Sequence, residues 1–134
     1  MEQLPILKKE HEEIRNILVA LECLIENNPT IYKVKEILNK LGEMWDVHEK
    51  REEAAFEFFE KEGIEMPFKT MFIAEHREFK GHWKVLNKYV SSSHAKILNV
   101  ALETDGRMLI DKFRKHMALE EIFFNKISSK DNKL

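Results

Sequence analysis

Apolar residues recur along most of this chain at alternating spacings of three and four, the pattern of helices that bury one face. Four such stretches are separated by short segments containing proline, glycine or serine. The sequence therefore predicts four helices, at about residues 5–27, 30–62, 67–90 and 94–127. The polar tail, residues 128–134, is expected to fray. The pattern predicts an all-α fold, an up-down-up-down antiparallel four-helix bundle forming one domain over residues 1–134.

The predicted helix boundaries depend on residues that favour helix ends. Pro5 suits a first helical turn, Thr30 suits an N-cap, and Gly63 suits the position just after a helix. The stretch Thr104-Asp105-Gly106 is the one weak point inside the fourth helix. We expect a bend or a break there.

The apolar face of the second helix includes a histidine and a glutamate. Its members are Val34, Leu38, Leu41, Trp45, His48, Glu52, Ala55 and Phe59. The fourth helix repeats this series at a constant offset, with Leu102, Gly106, Leu109, Phe113, His116, Glu120, Phe123 and Ile127. The first and third helices each place one histidine, His11 and His76, on an apolar face. These correspondences predict an internal two-fold repeat of a helical hairpin, roughly residues 4–62 and 67–127.

The candidate polar residues are expected at one height in the bundle. Counted from the connections between antiparallel neighbours, at about 1.5 Å per residue, the four histidines lie at similar levels. Residues four apart on a helix share a face, so each His-x-x-x-Glu pair can reach one site. We therefore predict one layer formed by His11, His48, Glu52, His76, His116 and Glu120.

Imidazole and carboxylate side chains together suit transition-metal ions. A single histidine on an apolar face is more often packed and hydrogen-bonded than a ligand. A buried, ionised glutamate, however, costs several kcal/mol unless it is paired or coordinating. The layer therefore favours two metal ions with open positions, each with about five ligands if an oxo or hydroxo bridge is counted. We expect His11 and His48 on one ion, His76 and His116 on the other, and Glu52 and Glu120 bridging.

Composition and charge exclude several other classes of protein. Charged residues make up 34% of the chain, with 22 basic and 24 acidic side chains. No basic stripe predicts nucleic-acid binding, and no long apolar run predicts a membrane helix. The N-terminus has no signal-peptide pattern, and the one cysteine, Cys23, cannot form an internal disulfide. A cytoplasmic protein is the default expectation, and the oligomeric state stays open.

The repeated motifs resemble those of the hemerythrin-like, or HHE cation-binding, family. The resemblance is carried by Glu10-His11, His48-x-x-x-Glu52-Glu53 with Phe56 and Phe58-Phe59, Glu75-His76, and His116-x-x-x-Glu120-Glu121 with Phe123-Phe124. It implies a four-helix bundle around two non-heme iron ions, oxo- or hydroxo-bridged, that meet dioxygen, nitric oxide or peroxide. Iron itself is implied only by this resemblance, because the spacing would also allow manganese or zinc.

The chain departs from the oxygen-carrying members at two places. Those proteins have His-x-x-x-His in the third helix, where this chain has Lys80 four residues after His76. They also have His-x-x-x-x-Asp in the fourth helix, where this chain has Glu120 at the shorter spacing and Glu121 at the longer. One iron would therefore lack a third imidazole, which favours ligand exchange and redox turnover over simple oxygen carriage.

Three further side chains stay open as contributors to the site. A solvated position is favoured for Glu49 and Lys80, and a place at the bundle boundary for His82. His94, next to the last connection, is not expected to be a ligand.

The leading hypothesis is a di-iron protein that binds dioxygen or a related small ligand for storage, delivery or sensing. The alternative is turnover of peroxide or nitric oxide, or delivery of iron for the repair of iron centres. A third hypothesis is an iron-responsive module that folds only when loaded. Whether the protein is an enzyme stays open.

Overall fold

The computed structural model describes residues 3–27, 30–91 and 95–132, and His94 lies outside these ranges. The helices are α1 (Gln3–Glu26), α2 (Ile31–Lys61), α3 (Lys69–Ser91), α4 (Ala95–Ala101), a π-helical segment (Leu102–Gly106) and α5 (Arg107–Asn132). Because α4, the π segment and α5 follow one another without a gap, they act as one fourth helix. The prediction of an all-helical bundle is confirmed.

The two ends of α2 show why the chain changes direction there. Thr30 precedes α2 in an extended conformation, and its Oγ1 accepts a hydrogen bond of 3.3 Å from the backbone N–H of Lys33. This N-cap satisfies a backbone donor that has no partner within the helix. After Lys61 the chain passes through Gly63 at φ +82°, a left-handed conformation that glycine adopts without steric cost.

The fourth helix differs from the sequence prediction in the middle and at its end. Instead of a bend or break, residues Leu102–Gly106 form π-helix, and the Thr104 hydroxyl donates a 2.8 Å hydrogen bond to the Val100 carbonyl. A Cβ on Gly106 would lie 3.3 Å from Ile25 Cδ1, so glycine allows α1 to pack closely here. At the other end α5 continues to Asn132. Residues 128–132 thus belong to α5, since no proline or glycine stops the helix before them, and fraying of this tail stays a prediction.

The predicted apolar faces are buried, with one difference. On α5, Phe124 rather than Phe123 enters the core. Phe124 lies one regular turn beyond Glu120, so the spacing of four continues there. Helix α1 packs against α2 and α5, and α3 packs against α2, α4 and α5. Within residues 3–27, 30–91 and 95–132, no helix is long and apolar enough to cross a membrane.

Two apolar clusters lie on either side of one level of the bundle. The larger cluster includes Leu18, Leu41, Trp45, Phe79 and Phe113 among its buried members. The smaller one is formed by Leu4, Leu7, Ala55, Phe56, Phe59, Phe72, Phe124 and Ile127. Along every long helix, the residues of one cluster give way to those of the other at the level of the candidate histidines. The apolar core is therefore interrupted by a single polar level.

Candidate metal centre

The six predicted residues are buried side by side at this level, which we call the polar layer. Their exposed fraction is 1% for His116 and 0% for His11, His48, Glu52, His76 and Glu120. They form two groups of four donors, and within each group the donor atoms lie within 4.8 Å of one another. The groups are His11, His48, Glu52, Glu120 and Glu52, His76, His116, Glu120. Both glutamates belong to both groups.

Helix periodicity places a histidine and a glutamate together twice. On α2, His48 Nε2 lies 2.9 Å from Glu52 Oε2, and on α5, His116 Nε2 lies 3.0 Å from Glu120 Oε1. Each pair is four residues apart, so both side chains project from one face of the helix.

Contacts between helices then join the two pairs into one site. Glu52 Oε1 lies 2.7 Å from His76 Nε2 of α3. Glu120 Oε1 lies 3.3 Å from His11 Nε2 of α1. Each glutamate therefore meets the histidine of its own helix and one from a neighbouring helix. This is the arrangement that a carboxylate needs in order to contact two ions.

A second set of carboxylates lies behind the histidines, against their Nδ1 atoms. The pairs are Glu10 with His48 at 3.0 Å, Glu53 with His76 at 3.4 Å, Glu75 with His116 at 3.6 Å, and Glu121 with His11 at 2.9 Å. Each carboxylate comes from a helix next to that of its histidine, so the four pairs pass once around the bundle. Carboxylates in this position orient metal-binding imidazoles and leave the opposite nitrogen free for a metal.

The protonation that these contacts favour leaves electron pairs facing each other in the layer. With its proton on Nδ1, each of His11 and His48 donates to its carboxylate, and its Nε2 is then only an acceptor. These two Nε2 atoms lie 3.1 Å apart. Two acceptor nitrogens repel at this distance unless a proton or a metal ion lies between them. The donor set around His11 and His48 therefore fits a cation.

Unpaired buried atoms support the same fit. Glu52 Oε2, both carboxylate oxygens of Glu120 and Nε2 of His116 have no hydrogen-bond partner. Leaving a buried polar atom unpaired costs about 1–3 kcal/mol, and more for a charged group. A folded protein rarely tolerates several such atoms at one point, whereas a metal ion would use them as ligands.

Electrostatics within the layer also disfavour two free carboxylates. Burial and the charge of Glu52 raise the pKa of Glu120 well above its ordinary value. Burial also opposes ionisation of Glu52, but its close contacts with Glu120 and the surrounding histidines lower the pKa of Glu52. Burial tends to lower the pKa of His48, and its contacts with Glu52 and Glu10 outweigh that tendency and raise it. The opposite directions of the pKa shifts of the two glutamates disfavour two ionised carboxylates side by side, and a divalent ion would remove that repulsion.

Aromatic rings close both sides of the polar layer. Trp45 lies 5.1 Å from His76 and Phe79 lies 5.1 Å from His116, measured between ring centroids. On the opposite side, Phe72 lies 5.3 Å from His116 and Phe124 lies 5.9 Å from His11. The candidate ligands are thus surrounded by a dry, apolar environment, in which electrostatic interactions are strong.

A cavity of about 220 Å³ lies between α2 and α3, next to this aromatic wall. Trp45, Phe79 and Phe113 are among its apolar lining residues, and the exposed Lys80 lines it as well. Because Trp45 and Phe79 also contact the layer histidines, one ring separates the cavity from the candidate metal centre. Lys80 is therefore an exposed residue of the cavity wall and is not buried in the polar layer.

Glu49 and His82 also lie outside the two groups. Glu49 forms a partly exposed group with Glu53 and His76, and it shares His76 with the second four-donor group. His82 faces Glu78 and Asp105, each at 3.8 Å, at the edge of the bundle. The structure thus brings all six predicted residues together and leaves these two at the periphery.

An all-helical bundle with buried clusters of histidine and glutamate defines a class of helical proteins that can bind metal ions. The family model described as "Hemerythrin HHE cation binding domain" matches residues 3–127. The chain therefore belongs to the hemerythrin HHE cation-binding family. Comparison with curated proteins and with solved structures found no match.

The outer carboxylates Glu10, Glu53, Glu75 and Glu121 were not predicted to be part of the site. Their signal was present, because each directly adjoins one of the six layer residues, in Glu10-His11, Glu52-Glu53, Glu75-His76 and Glu120-Glu121. A neighbouring residue is turned by about 100° around the helix and so faces the adjacent helix. Which histidine it meets there depends on helix packing, which the pattern alone does not specify.

Proposed function

We propose that this chain is a non-heme di-iron protein that binds dioxygen or a related small ligand for storage, delivery or sensing. The observation that carries the proposal is the pair of buried four-donor groups that share Glu52 and Glu120. In this proposal His11 and His48 bind one iron, His76 and His116 bind the other, and both glutamates bridge. Bound iron would supply reversible electron exchange with a small oxygen- or nitrogen-containing ligand.

The protein side chains determine which positions on each iron are open and how far water can reach them. Two imidazoles and two shared carboxylates leave positions on each iron open to an oxo or hydroxo bridge and to a ligand. The rings of Trp45, Phe79 and Phe72 keep bulk water away from these positions. A dry pocket favours small apolar molecules and limits the supply of protons. The cavity beside Trp45 provides a place from which such a molecule can approach.

The proposal also includes the finer architecture of the bundle. We infer an up-down-up-down antiparallel arrangement in which α1–α2 and α3–α5 are repeated hairpins. Its support is the short connection between α2 and α3, and the contacts that link α1, α2, α3 and α5 in a ring. The equal His-x-x-x-Glu spacing on α2 and α5 agrees with a repeated hairpin.

The decisive experiment combines metal analysis with optical spectroscopy. The protein is loaded with ferrous iron without oxygen, desalted, and analysed for metal per chain, with manganese and zinc as comparison ions. We expect two irons per chain and an optical change on exposure to oxygen that reverses when oxygen is removed. Fewer than two bound ions contradict the two-ion centre. Rapid irreversible oxidation at first exposure contradicts storage or delivery of oxygen.

A second candidate function is turnover of peroxide or nitric oxide, or delivery of iron to damaged iron centres. It is favoured by the position of Lys80, which is exposed at the cavity and supplies no third imidazole to the layer. Stopped-flow mixing of the reduced protein with peroxide or nitric oxide, with excess reductant, tests for multiple turnover. Transfer of iron to an apo acceptor protein tests for delivery. Failure of both measurements leaves ligand binding as the function.

A further inference from the structure

The two halves of the polar layer differ in what holds their outer carboxylates. In the His11–His48 half, the carboxylates contact the imidazole Nδ1 atoms at 2.9 and 3.0 Å. Arg15 donates a hydrogen bond to Glu121, and Arg51 Nη1 donates one of 2.9 Å to Glu10 Oε2. Each carboxylate in this half is therefore held between an arginine and a histidine, which fixes its orientation.

In the His76–His116 half the corresponding contacts are longer. Glu53 lies 3.4 Å from His76 Nδ1, and Glu75 lies 3.6 Å from His116 Nδ1. The second distance is too long for an effective hydrogen bond, and His116 Nδ1 has no partner. In the described parts of the chain, no arginine or lysine lies within ion-pair distance of Glu53 or Glu75; Lys69 bonds to Glu60, and its charge acts on Glu53 from farther away. Glu53 lies instead beside another carboxylate, Glu49.

The difference can be read at matched positions of the sequence. Arg15 stands four residues after His11, and the position four residues after His76 is Lys80. Arg51 stands three residues after His48, and the position three residues after His116 is Leu119. Lys80 is exposed and lines the cavity, and Leu119 has no charge to offer. Both arginines of one half are thus replaced at the matched positions of the other.

Two physical effects of the arginines oppose each other. They neutralise part of the carboxylate charge, which weakens the attraction of a cation. They also hold the carboxylates at hydrogen-bond distance from the imidazoles, which orients the imidazoles and makes them better ligands. Loss of such a carboxylate partner typically lowers metal affinity 10–100-fold. Contacts of 3.4 and 3.6 Å lose most of this benefit. We therefore expect the orientation of the imidazoles to affect metal affinity more than the partial neutralisation of the carboxylates does.

We propose that Arg15 and Arg51 make the His11–His48 position the tighter of the two metal positions, so that the His76–His116 position releases its ion first. Arg15 and Arg51 are positioning residues, because they act on the metal through Glu121 and Glu10 and do not touch it. The inference rests on the proposed function, because it requires two ions in the layer. It adds that one ion is held and the other is exchangeable.

The test measures the release of ferrous iron from the anaerobically loaded full chain to a coloured chelator. We expect two phases of about one ion each, separated by roughly tenfold in rate, which is the lower end of the range for such outer partners. Circular dichroism and thermal melting of each metal-free variant establish that it is folded before release is compared.

Reciprocal variants identify which position gives which phase. Arg51→Leu and Arg15→Lys give the first half the residues of the second, and we expect them to accelerate the slow phase alone. Leu119→Arg and Lys80→Arg give the second half the residues of the first, and we expect them to slow the fast phase alone. A merely structural effect of substitution does not produce opposite changes in two separate phases.

The matched control is Arg114→Lys, which alters an arginine that pairs with Glu22 across α5 and α1 rather than with an outer carboxylate. We expect both phases to stay unchanged in this variant. Release of two ions in a single phase overturns the inference and leaves the proposed function standing. Acceleration of the fast phase by Arg51→Leu also overturns it. Binding of fewer than two ions by the unaltered chain contradicts the proposed function itself.

Discussion

The His11–His48 half and the His76–His116 half of the polar layer have the same candidate ligands at the same spacing, yet different surroundings. In the first half, arginines hold the outer carboxylates at 2.9 and 3.0 Å from the imidazoles, whereas the second half has contacts of 3.4 and 3.6 Å and no arginine. Lys80 on α3, four residues after His76, is exposed at the cavity instead of holding an outer carboxylate. Repeated ligand motifs can therefore create two metal positions of unequal affinity when their outer contacts differ.

Substitution of a glutamate that both halves share should change metal binding more than any other substitution. Glu52→Gln takes away a carboxylate whose oxygens lie 2.7 Å from His76 Nε2 and 2.9 Å from His48 Nε2. Because the amide is neutral and a poorer ligand, we expect both positions to lose iron, measured as metal per chain after desalting. Glu57→Gln, on the exposed face of α2, is the control and should keep two irons. Retention of two irons by Glu52→Gln contradicts a bridging role.

Two single variants, each lacking one histidine from a different half, should show how strongly each half binds iron. His76→Gln leaves the arginine-supported position intact, so we expect about one iron to remain after desalting. His11→Gln leaves only the position without arginine support, so we expect less iron to remain than in His76→Gln. Metal analysis of both variants, prepared in parallel from the same iron load, measures the difference. Equal retention would show that the two halves bind iron equally well.

Removal of the metal should lower stability without unfolding the chain. A ligand present at 100 times its dissociation constant stabilises the folded state by about 2.7 kcal/mol. The two apolar clusters persist without iron, so the metal-free protein should stay helical but melt at a lower temperature. Equal melting temperatures with and without iron would exclude the iron-responsive folding module, and complete unfolding without iron would support it.

The smallest effect concerns an ion pair that joins the halves outside the layer. Hydrogen bonds from Arg114 lower the pKa of Glu22 below its ordinary value of 4.5. A carboxyl group of lowered pKa adds stability above its unfolded pKa and loses it as the pH falls through the folded pKa. Glu22→Gln should therefore lower the melting temperature slightly at pH 7 and by less near pH 3. Because the pair is solvent-exposed, high salt should remove most of the difference.

Much of the fold could be predicted from the sequence, because helix periodicity acts locally. The spacing of His48 and Glu52, and its repetition at His116 and Glu120, placed these residues on buried faces, and they are buried. The pattern predicted Phe123 on the buried face, but Phe124 is buried instead. Spacings of three and four both fit a helix of 3.6 residues per turn, so the pattern does not distinguish the two positions. The stretch Thr104-Asp105-Gly106 marked a weak point in the fourth helix, but the local pattern did not predict that Leu102–Gly106 would form π-helix.

The sequence by itself determined which side chains share a helix face, and therefore which six residues could meet at one level of a bundle. The tertiary structure alone decided which outer carboxylate faces each imidazole and which of these carboxylates an arginine holds. These contacts join different helices, so they depend on helix rotation and spacing rather than on the period of one helix. Glu53 and Glu121 follow their neighbouring glutamates in the same way along the chain, yet only Glu121 is held by an arginine.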